Sequence, residues 1–329
     1  MSYSGKGLRI VFLLRLRYNQ GRKEIGDMGI LPKDIEILPP YDDRLFKAML
    51  TKPEAKPTLL FLAPQIVKRP VVNVLVRNTE LPIEDVNEKA EQFDINCAID
   101  DDSQADIEMQ GSRMKEEKDG NHDNLKARSI YNLCDLHSSQ PSRGKSYDKL
   151  IRTYQVMFCN FPVYPNRPDF VNTFSMRHDT DNGLLHNSIQ AIFVDLTRLD
   201  DVLKKPVGEM TGMEKFSVFL KYASNPKCRD IVNKVIESEE GLAVAGEVLM
   251  SISRDERERA IFRSRRMYQM DLESDRVMTE RFIRRAEAEG KSGISVVAKN
   301  LLEMNMPIDK IVSATGLTRE EVEVLRTAD

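Results

Sequence analysis

The sequence predicts an α/β domain followed by an all-helical C-terminal region, and three observations support this fold class. Short segments between residues 92 and 196 alternate apolar and polar side chains or are rich in β-branched and aromatic residues, as β-strands are. Segments with the apolar spacing of an amphipathic helix precede and interrupt them. After residue 200 the pattern is almost entirely helical. A chain of 329 residues is long enough to bury a substantial core in such an arrangement.

The predicted elements of the first 200 residues follow in chain order. Asp42 and Asp43 are capping-type residues before a helix whose apolar stripe runs from Leu45 to Leu50. A second apolar stretch follows at 57–67. The strand candidates are β-branched or alternating runs bounded by turn residues, and a polar loop through Gly120 leads into one further helix. The strands are expected at 71–76, 92–99, 104–111, 153–161, 170–176 and 189–196, and the helix at 124–138.

The remaining chain is predicted to be helical, with segments at 213–223, 228–236, 242–251 and a highly charged stretch at 254–289. Pro307 then opens a short helix, Gly316 ends it, and Thr318 with Glu321 makes a capping box for the last helix. These two helices resemble a helix-turn-helix, although the second has no convincing base-reading residues. A helical hairpin used for packing or self-association is favoured, so a homo-oligomer formed through the C-terminal helices is expected.

Four regions are therefore expected along the chain. Residues 1–28 form a basic, poorly ordered leader, for which a nucleic-acid-binding arm is the alternative. Residues 29–200 form the α/β domain and 201–253 a helical extension. Residues 254–329 form a charged helical tail that ends in the helical hairpin.

Composition excludes several classes of protein. The 49 Lys and Arg residues nearly balance the 52 Asp and Glu residues, so neither a disordered charged chain nor a globally cationic nucleic-acid coat is expected. No apolar run approaches the roughly 18 to 20 residues of a membrane span, so no membrane partner is expected. The four cysteines form no CxxC pair and no export signal is evident, which indicates reduced thiols in a cytoplasmic protein.

Three tempting motifs fail on their spacing. The segment Gly290-Lys291-Ser292 has no first glycine and no preceding strand, so it is not a phosphate-binding loop. Residues 179–183 place their glycine one position early for a calcium loop and are expected to form a hairpin turn. The four histidines form no close pair suited to a metal.

The hairpin predicted at 92–111 carries the remaining chemical signal. Its even-numbered positions carry Asp94, Asp106, Glu108 and Gln110, and its odd-numbered positions are apolar, so one face is lined with oxygens. A connecting loop at 100–102 pairs Asp94 with Glu108. Two carboxylates with Cβ atoms roughly 5 Å apart repel each other unless a divalent cation lies between them. The alternative is the solvent-facing side of an edge hairpin, with no cation.

An ordered set of segments then resembles a known family. The set comprises the helix with Asp43-x-Leu45-Phe46-Lys47, the strand Phe93-Asp94-Ile95, the strand Asp106-Ile107-Glu108-Met109-Gln110, the segment Arg128-Ser129-Ile130-Tyr131, and Ser139-Gln140 before Gly144 and Tyr147. It resembles the Rpn family of recombination-promoting nucleases and transposase-like proteins, in the PD-(D/E)xK nuclease superfamily, over about residues 31–199. The resemblance implies a restriction-endonuclease-like core, with a mixed β-sheet flanked by helices.

The resemblance also implies a site. Asp94 and Glu108 would hold Mg²⁺ or another divalent cation, and Gln110 would take the place of the superfamily lysine. Asp43 would be an outer-shell acid or a helix N-cap. Two further residues are implied by position: Tyr131, expected to pack its helix against the core, and Gln140, expected to contact phosphate or water. Separately from the resemblance, five basic residues cluster after the second strand of the hairpin and are expected either to bind phosphates or to form a solvated loop face: Arg113, Lys115, Lys118, Lys126 and Arg128.

The function implied is that of a metal-dependent DNA endonuclease of low sequence specificity, which hydrolyses phosphodiester bonds in a recombination or mobile-DNA context. Gln110 cannot bring the positive charge of a lysine to the site, because an amide is neutral. A catalytically weak or inactive DNA- or protein-binding module on the same fold therefore stays open as the alternative, with a purely structural helical assembly as the third.

Overall fold

The structure is a computed structural model that describes residues 31–77, 95–111, 122–140, 146–288 and 294–327. Four predicted site residues, Asp94, Arg113, Lys115 and Lys118, lie outside these ranges. The leader at 1–28 lies outside them as well.

A six-stranded mixed sheet lies at the centre of the α/β part. Its strands are β1 (Val74–Val76), β2 (Ile95–Ile99), β3 (Ser103–Gln110), β4 (Arg152–Cys159), β5 (Val171–Phe174) and β6 (Ile189–Asp195). Their spatial order is β1-β2-β3-β4-β6-β5. The central strands β3, β4 and β6 are parallel, while β1, β2 and β5 pair antiparallel with their neighbours. The predicted mixed sheet is confirmed.

Ten α-helices are present in the part of the chain that the structure describes. They are α1 (Asp43–Thr51), α2 (Lys56–Val67), α3 (Asp123–Ser138), α4 (Gly212–Tyr222), α5 (Arg229–Ser238), α6 (Glu240–Arg254), α7 (Glu256–Ala288), α8 (Ile294–Glu303), α9 (Ile308–Thr315) and α10 (Arg319–Thr327). The apolar stretch at 57–67 is a helix in spite of its internal Pro64. None of the described helices combines the length and the apolarity needed to cross a membrane.

The β2–β3 hairpin has the predicted turn and register. Ile99 pairs with Ser103, which leaves the three-residue loop at 100–102, and Ile95 pairs with Ile107. The alternative of a solvent-facing edge hairpin is wrong, because β3 lies inside the sheet and hydrogen-bonds to β4 on its other side. Asp106 and Glu108 are consequently buried.

Helices cover both faces of the sheet. On one face the ring of Phe158 in β4 contacts Phe46 of α1 and Phe216 of α4, with centroids 5.9 and 5.4 Å away. On the other face Leu125 and Leu133 of α3 pack in one buried cluster with β4 and β6. The odd positions of β4, like the even positions of β3, therefore point toward α3.

The described residues fall into two compact units, which divide between Arg259 and Ala260. The segment 201–253 lies in the first unit, where the Thr58 hydroxyl of α2 donates to the carbonyl of Gly241 at 2.8 Å. In the second unit, α8, α9 and α10 share a small core around Leu301 and Ile311.

The caps predicted in the C-terminal region are confirmed. Gly316 ends α9 with a φ of 72°, a left-handed conformation that glycine adopts without strain. The Thr318 amide donates to the Glu321 carboxylate at 2.7 Å, and the Glu321 amide donates to the Thr318 hydroxyl at 3.2 Å. In the first unit, the predicted hairpin turn at 179–183 is confirmed by the bridge between Arg177 and Leu184.

Candidate active site

Glu108 lies at the centre of a buried polar cluster between β3 and α3. Glu108 is only 2% exposed, and both of its carboxylate oxygens accept hydrogen bonds. Oε1 accepts from the amides of Asn132 at 3.0 Å and Gln155 at 2.8 Å. Oε2 accepts from the guanidinium of Arg128 at 3.0 Å and the amide of Gln110 at 3.1 Å. A buried carboxylate is tolerated because these donors replace its hydration.

The elements that hold this cluster follow from simple periodicities. Arg128 and Asn132 are four residues apart on α3, which puts them on one side of that helix. Gln155 pairs with Asp106 in the parallel β3–β4 ladder, so its side chain projects on the same face as Glu108. The donors of Glu108 therefore come from three separate elements.

The end of β3 is held close to the start of α1. The amide of Gly111, directly after Gln110, donates to Asp43 Oδ1 at 2.7 Å. The main-chain amide of Asn160 donates to the carbonyl of Gln110 at 2.9 Å, and its side-chain amide donates to the carbonyl of Gly111 at 3.2 Å. Asp43 is not the N-cap of α1, because Asp42 accepts from the Leu45 amide in that position. Asp43 instead anchors the strand that carries Glu108 and Gln110.

Gly111→Ala is expected to destabilise the first unit by about 1–3 kcal/mol, because an added Cβ would overlap the carbonyl oxygen of Tyr41 and crowd Asp43. Urea unfolding measures the change. Gly208→Ala is the matched control, since a Cβ at Gly208 meets no atom within 4 Å. Equal stability of the two variants would contradict the close approach of α1 to β3.

The structure does not bring Gln140 to Glu108. Gln140 Nε2 donates to the carbonyl of Ile151 at 3.0 Å, and Gln140 Oε1 accepts from the amide of the same residue at 2.8 Å. Ile151 directly precedes β4, at the end of the sheet where β3 and β4 begin and Ser103 pairs with Arg152. Glu108 pairs with Met157, further along both strands. At about 3.3 Å per residue, the start of β4 is some 16–20 Å from Glu108. Gln140 therefore ties a loop to the start of β4.

The other predicted residues of α3 are placed as follows. Tyr131 is 70% exposed, so the expectation that it packs its helix against the core is wrong. Lys126 forms an ion pair with Asp123 at 3.3 Å, and its ammonium lies 5.1 Å from the centroid of the Tyr164 ring. Arg128, predicted to bind phosphate, contacts the carboxylate of Glu108.

Asn132, Gln155 and Gly111 are site residues that the sequence reasoning missed. A signal for Asn132 existed in its helical spacing from Arg128, and Gln155 is a polar residue within the otherwise apolar run 154–158. Neither signal identifies Glu108 as the partner, because both contacts depend on tertiary packing.

Burial also fixes the protonation of a neighbouring thiol. Cys159 of β4 is fully buried, and burial raises the pKa of its thiol well above the usual value, with the carboxylates of Asp195 and Glu108 adding to the increase. The thiol therefore stays protonated at neutral pH and is a poor nucleophile and a poor metal ligand.

The donor set near Glu108 is compatible with a hard divalent cation. Glu108 offers carboxylate oxygens, and Gln155 Oε1 is a buried oxygen with no hydrogen-bond partner among the described residues. Such oxygens are the ligands that Mg²⁺ prefers. The described residues contain no cluster of three or more His, Cys, Asp or Glu side chains arranged for a metal.

Comparison with known proteins identifies the family. A family model described as PD-(D/E)XK nuclease family transposase matches residues 40–276, which is more than half of the chain and includes the whole sheet. No curated protein and no solved structure gives a significant match. The resemblance noted in the sequence is confirmed, and the chain belongs to the PD-(D/E)XK nuclease family transposases.

Proposed function

We propose that this protein is a metal-dependent DNA endonuclease of low sequence specificity, which hydrolyses phosphodiester bonds in a recombination or mobile-DNA context. The observation that carries the proposal is the buried Glu108, surrounded by polar side chains from β3, β4 and α3 in a chain of this nuclease family. A solvated surface carboxylate would need no such surroundings.

Asp94 and Glu108 are proposed as the ligands of a Mg²⁺ ion. Support for Asp94 comes from the hairpin register, because Ile95, its neighbour in sequence, pairs with Ile107, the neighbour of Glu108. A bound divalent cation would neutralise charge on the scissile phosphate and lower the pKa of an attacking water.

The chain's own residues would orient the reacting groups. Gln110 and Gln155 both reach Glu108 through their amides, and an amide can rotate to present either its oxygen or its nitrogen. Gln110, at the end of β3, is proposed to orient the attacking water or a phosphate oxygen. Asp43 would keep Gln110 in position through its hydrogen bond to Gly111.

Phosphates away from the reacting centre need cationic contacts, which give affinity independent of sequence. Arg113, Lys115 and Lys126 are proposed for this role. Lys126 lies at the start of α3, the helix that also carries Arg128. Such contacts fit an enzyme of low sequence specificity.

Substitutions at Gln110 separate an enzyme from a binding module. Gln110→Ala is expected to slow nicking of supercoiled plasmid in Mg²⁺ by roughly 10²-fold, the scale of one lost transition-state hydrogen bond, with little change in DNA affinity. Gln110→Lys should retain activity, because it places the positive charge of the superfamily lysine beside Glu108. Gln110→Glu should be poor, because a further negative charge beside Glu108 repels phosphate.

The alternative, a catalytically inactive binding module, has one observation in its favour. Among the described residues, four side chains donate hydrogen bonds to Glu108, and these donors can satisfy the carboxylate without a cation. Nicking that is indifferent to all three Gln110 substitutions would place catalysis elsewhere. No nicking by wild type under varied metals, with DNA binding retained, would favour the binding module.

A further inference from the structure

Arg128 is the charged partner of Glu108. Of the four described side chains that donate to this carboxylate, the other three are neutral amides. The guanidinium nitrogen Nη2 and the Gln110 amide nitrogen reach the same oxygen, Oε2, at 3.0 and 3.1 Å. Arg128 on α3 thus delivers positive charge to the oxygen that Gln110 reaches from β3.

Arg128 keeps hydrogen-bonding capacity beyond this contact. Its Nε is buried and has no hydrogen-bond partner among the described residues. Its side chain is 37% exposed, whereas that of Glu108 is almost fully buried. A guanidinium has five N–H donors in a planar fork that suits both carboxylates and phosphates. Nη2 of Arg128 is therefore held by Glu108, Nε is an unused buried donor, and the side chain as a whole is partly accessible.

We propose that Arg128 supplies the positive charge that Gln110 lacks, as an exchangeable counter-ion that pairs with Glu108 in the metal-free protein and contacts the scissile phosphate once a divalent cation occupies Glu108. This inference rests on the proposed function and adds a residue to it. A guanidinium and a divalent cation would repel each other at one carboxylate oxygen, so Arg128 would leave Glu108 when the metal is bound there. The released guanidinium would then be free to contact a phosphate beside Glu108.

The exchange predicts an effect on metal binding that needs no catalysis. Arg128→Gln removes the competing charge, so the protein should bind Mn²⁺ alone roughly tenfold more tightly than wild type in a calorimetric titration. Arg128→Lys keeps the charge and should bind Mn²⁺ with nearly the wild-type affinity. Arg152→Gln is the matched control, because Arg152 is exposed at the opposite end of the β3–β4 ladder and should leave the affinity unchanged.

A charge-relocation experiment then tests the role in cleavage. Arg128→Ala should lower single-turnover nicking by roughly 10²-fold. Adding Gln110→Lys to that variant should restore at least a tenth of the wild-type rate, because the lysine brings the charge back to Glu108 from β3. A purely structural role for Arg128 would not be rescued in this way.

The two measurements fail in different ways. Unchanged or weaker Mn²⁺ binding by Arg128→Gln, with wild-type folding by circular dichroism, overturns the counter-ion exchange whether or not the protein cleaves DNA. If Arg128→Gln does not fold, the Arg128→Lys affinity decides, and a change beyond threefold overturns the proposal. Nicking absent from wild type overturns the proposed function, whereas tighter Mn²⁺ binding by Arg128→Gln would still support the pairing.

Discussion

Glu108→Gln is expected to reduce Mg²⁺-dependent plasmid nicking by roughly 10³-fold or more, since it removes a charged metal ligand from a buried site. The amide has nearly the same shape as the carboxylate. An NH₂ group replaces one of the two carboxylate oxygens and would point at the N–H donors that this oxygen accepted from. The free energy of unfolding should therefore fall by about 1–3 kcal/mol. Single-turnover nicking and urea unfolding measure the two effects separately.

Glu237→Gln is the matched control for this variant, because Glu237 is exposed on α5 and undergoes the same chemical change. DNA affinity measured in Ca²⁺-free buffer should be retained or improved in Glu108→Gln, because the substitution removes a negative charge that repels phosphate. Loss of DNA binding in parallel with loss of cleavage would indicate misfolding rather than a catalytic carboxylate.

Asp94→Asn is expected to have the second largest effect, a loss of nicking of roughly 10²-fold or more together with weaker Mn²⁺ binding, because one of the two proposed carboxylate ligands becomes neutral. Mn²⁺ titration and nicking of the same preparation give both values. Asp101→Asn, in the exposed turn of the same hairpin, should behave as wild type.

Full activity of Asp94→Asn would remove Asp94 from the site. Asp106 would then be the next carboxylate to test, because it is buried on the same face of β3 as Glu108. Its replacement by asparagine should in that case abolish nicking.

Local patterns predicted much of the fold because they reflect local physics. Alternation along 103–110 and the turn residues at 100–102 determine the β2–β3 hairpin and its register. Local patterns do not predict that β3 lies inside the sheet. Its parallel partner β4 starts 42 residues after β3 ends. Their pairing depends on how α3, which lies between the two strands in sequence, packs against the face of the sheet.

In the candidate site, too, local sequence patterns predict some features and tertiary packing determines the others. Alternation along one strand places Glu108 and Gln110 on the same face, and the family resemblance implies their roles. The contacts of Arg128, Asn132 and Gln155 with Glu108 require α3 and β4 to be packed in place. The prediction that Gln140 contacts phosphate or water at the site also failed because it depends on tertiary packing. Gln140 follows the end of α3 in sequence, and α3 runs back toward the start of β4, away from Glu108.

Glu108 and Asp94 are proposed to support metal-dependent hydrolysis of DNA. The most direct measurement is nicking of supercoiled plasmid by affinity-tagged wild type, Glu108→Gln and Asp94→Asn proteins purified side by side, each with Mg²⁺ and with EDTA. Wild type is expected to nick the plasmid in Mg²⁺ and not in EDTA, and both variants are expected to lose activity by roughly 10²-fold or more. Equal nicking by all three proteins, or nicking by wild type that persists in EDTA, would contradict this proposal.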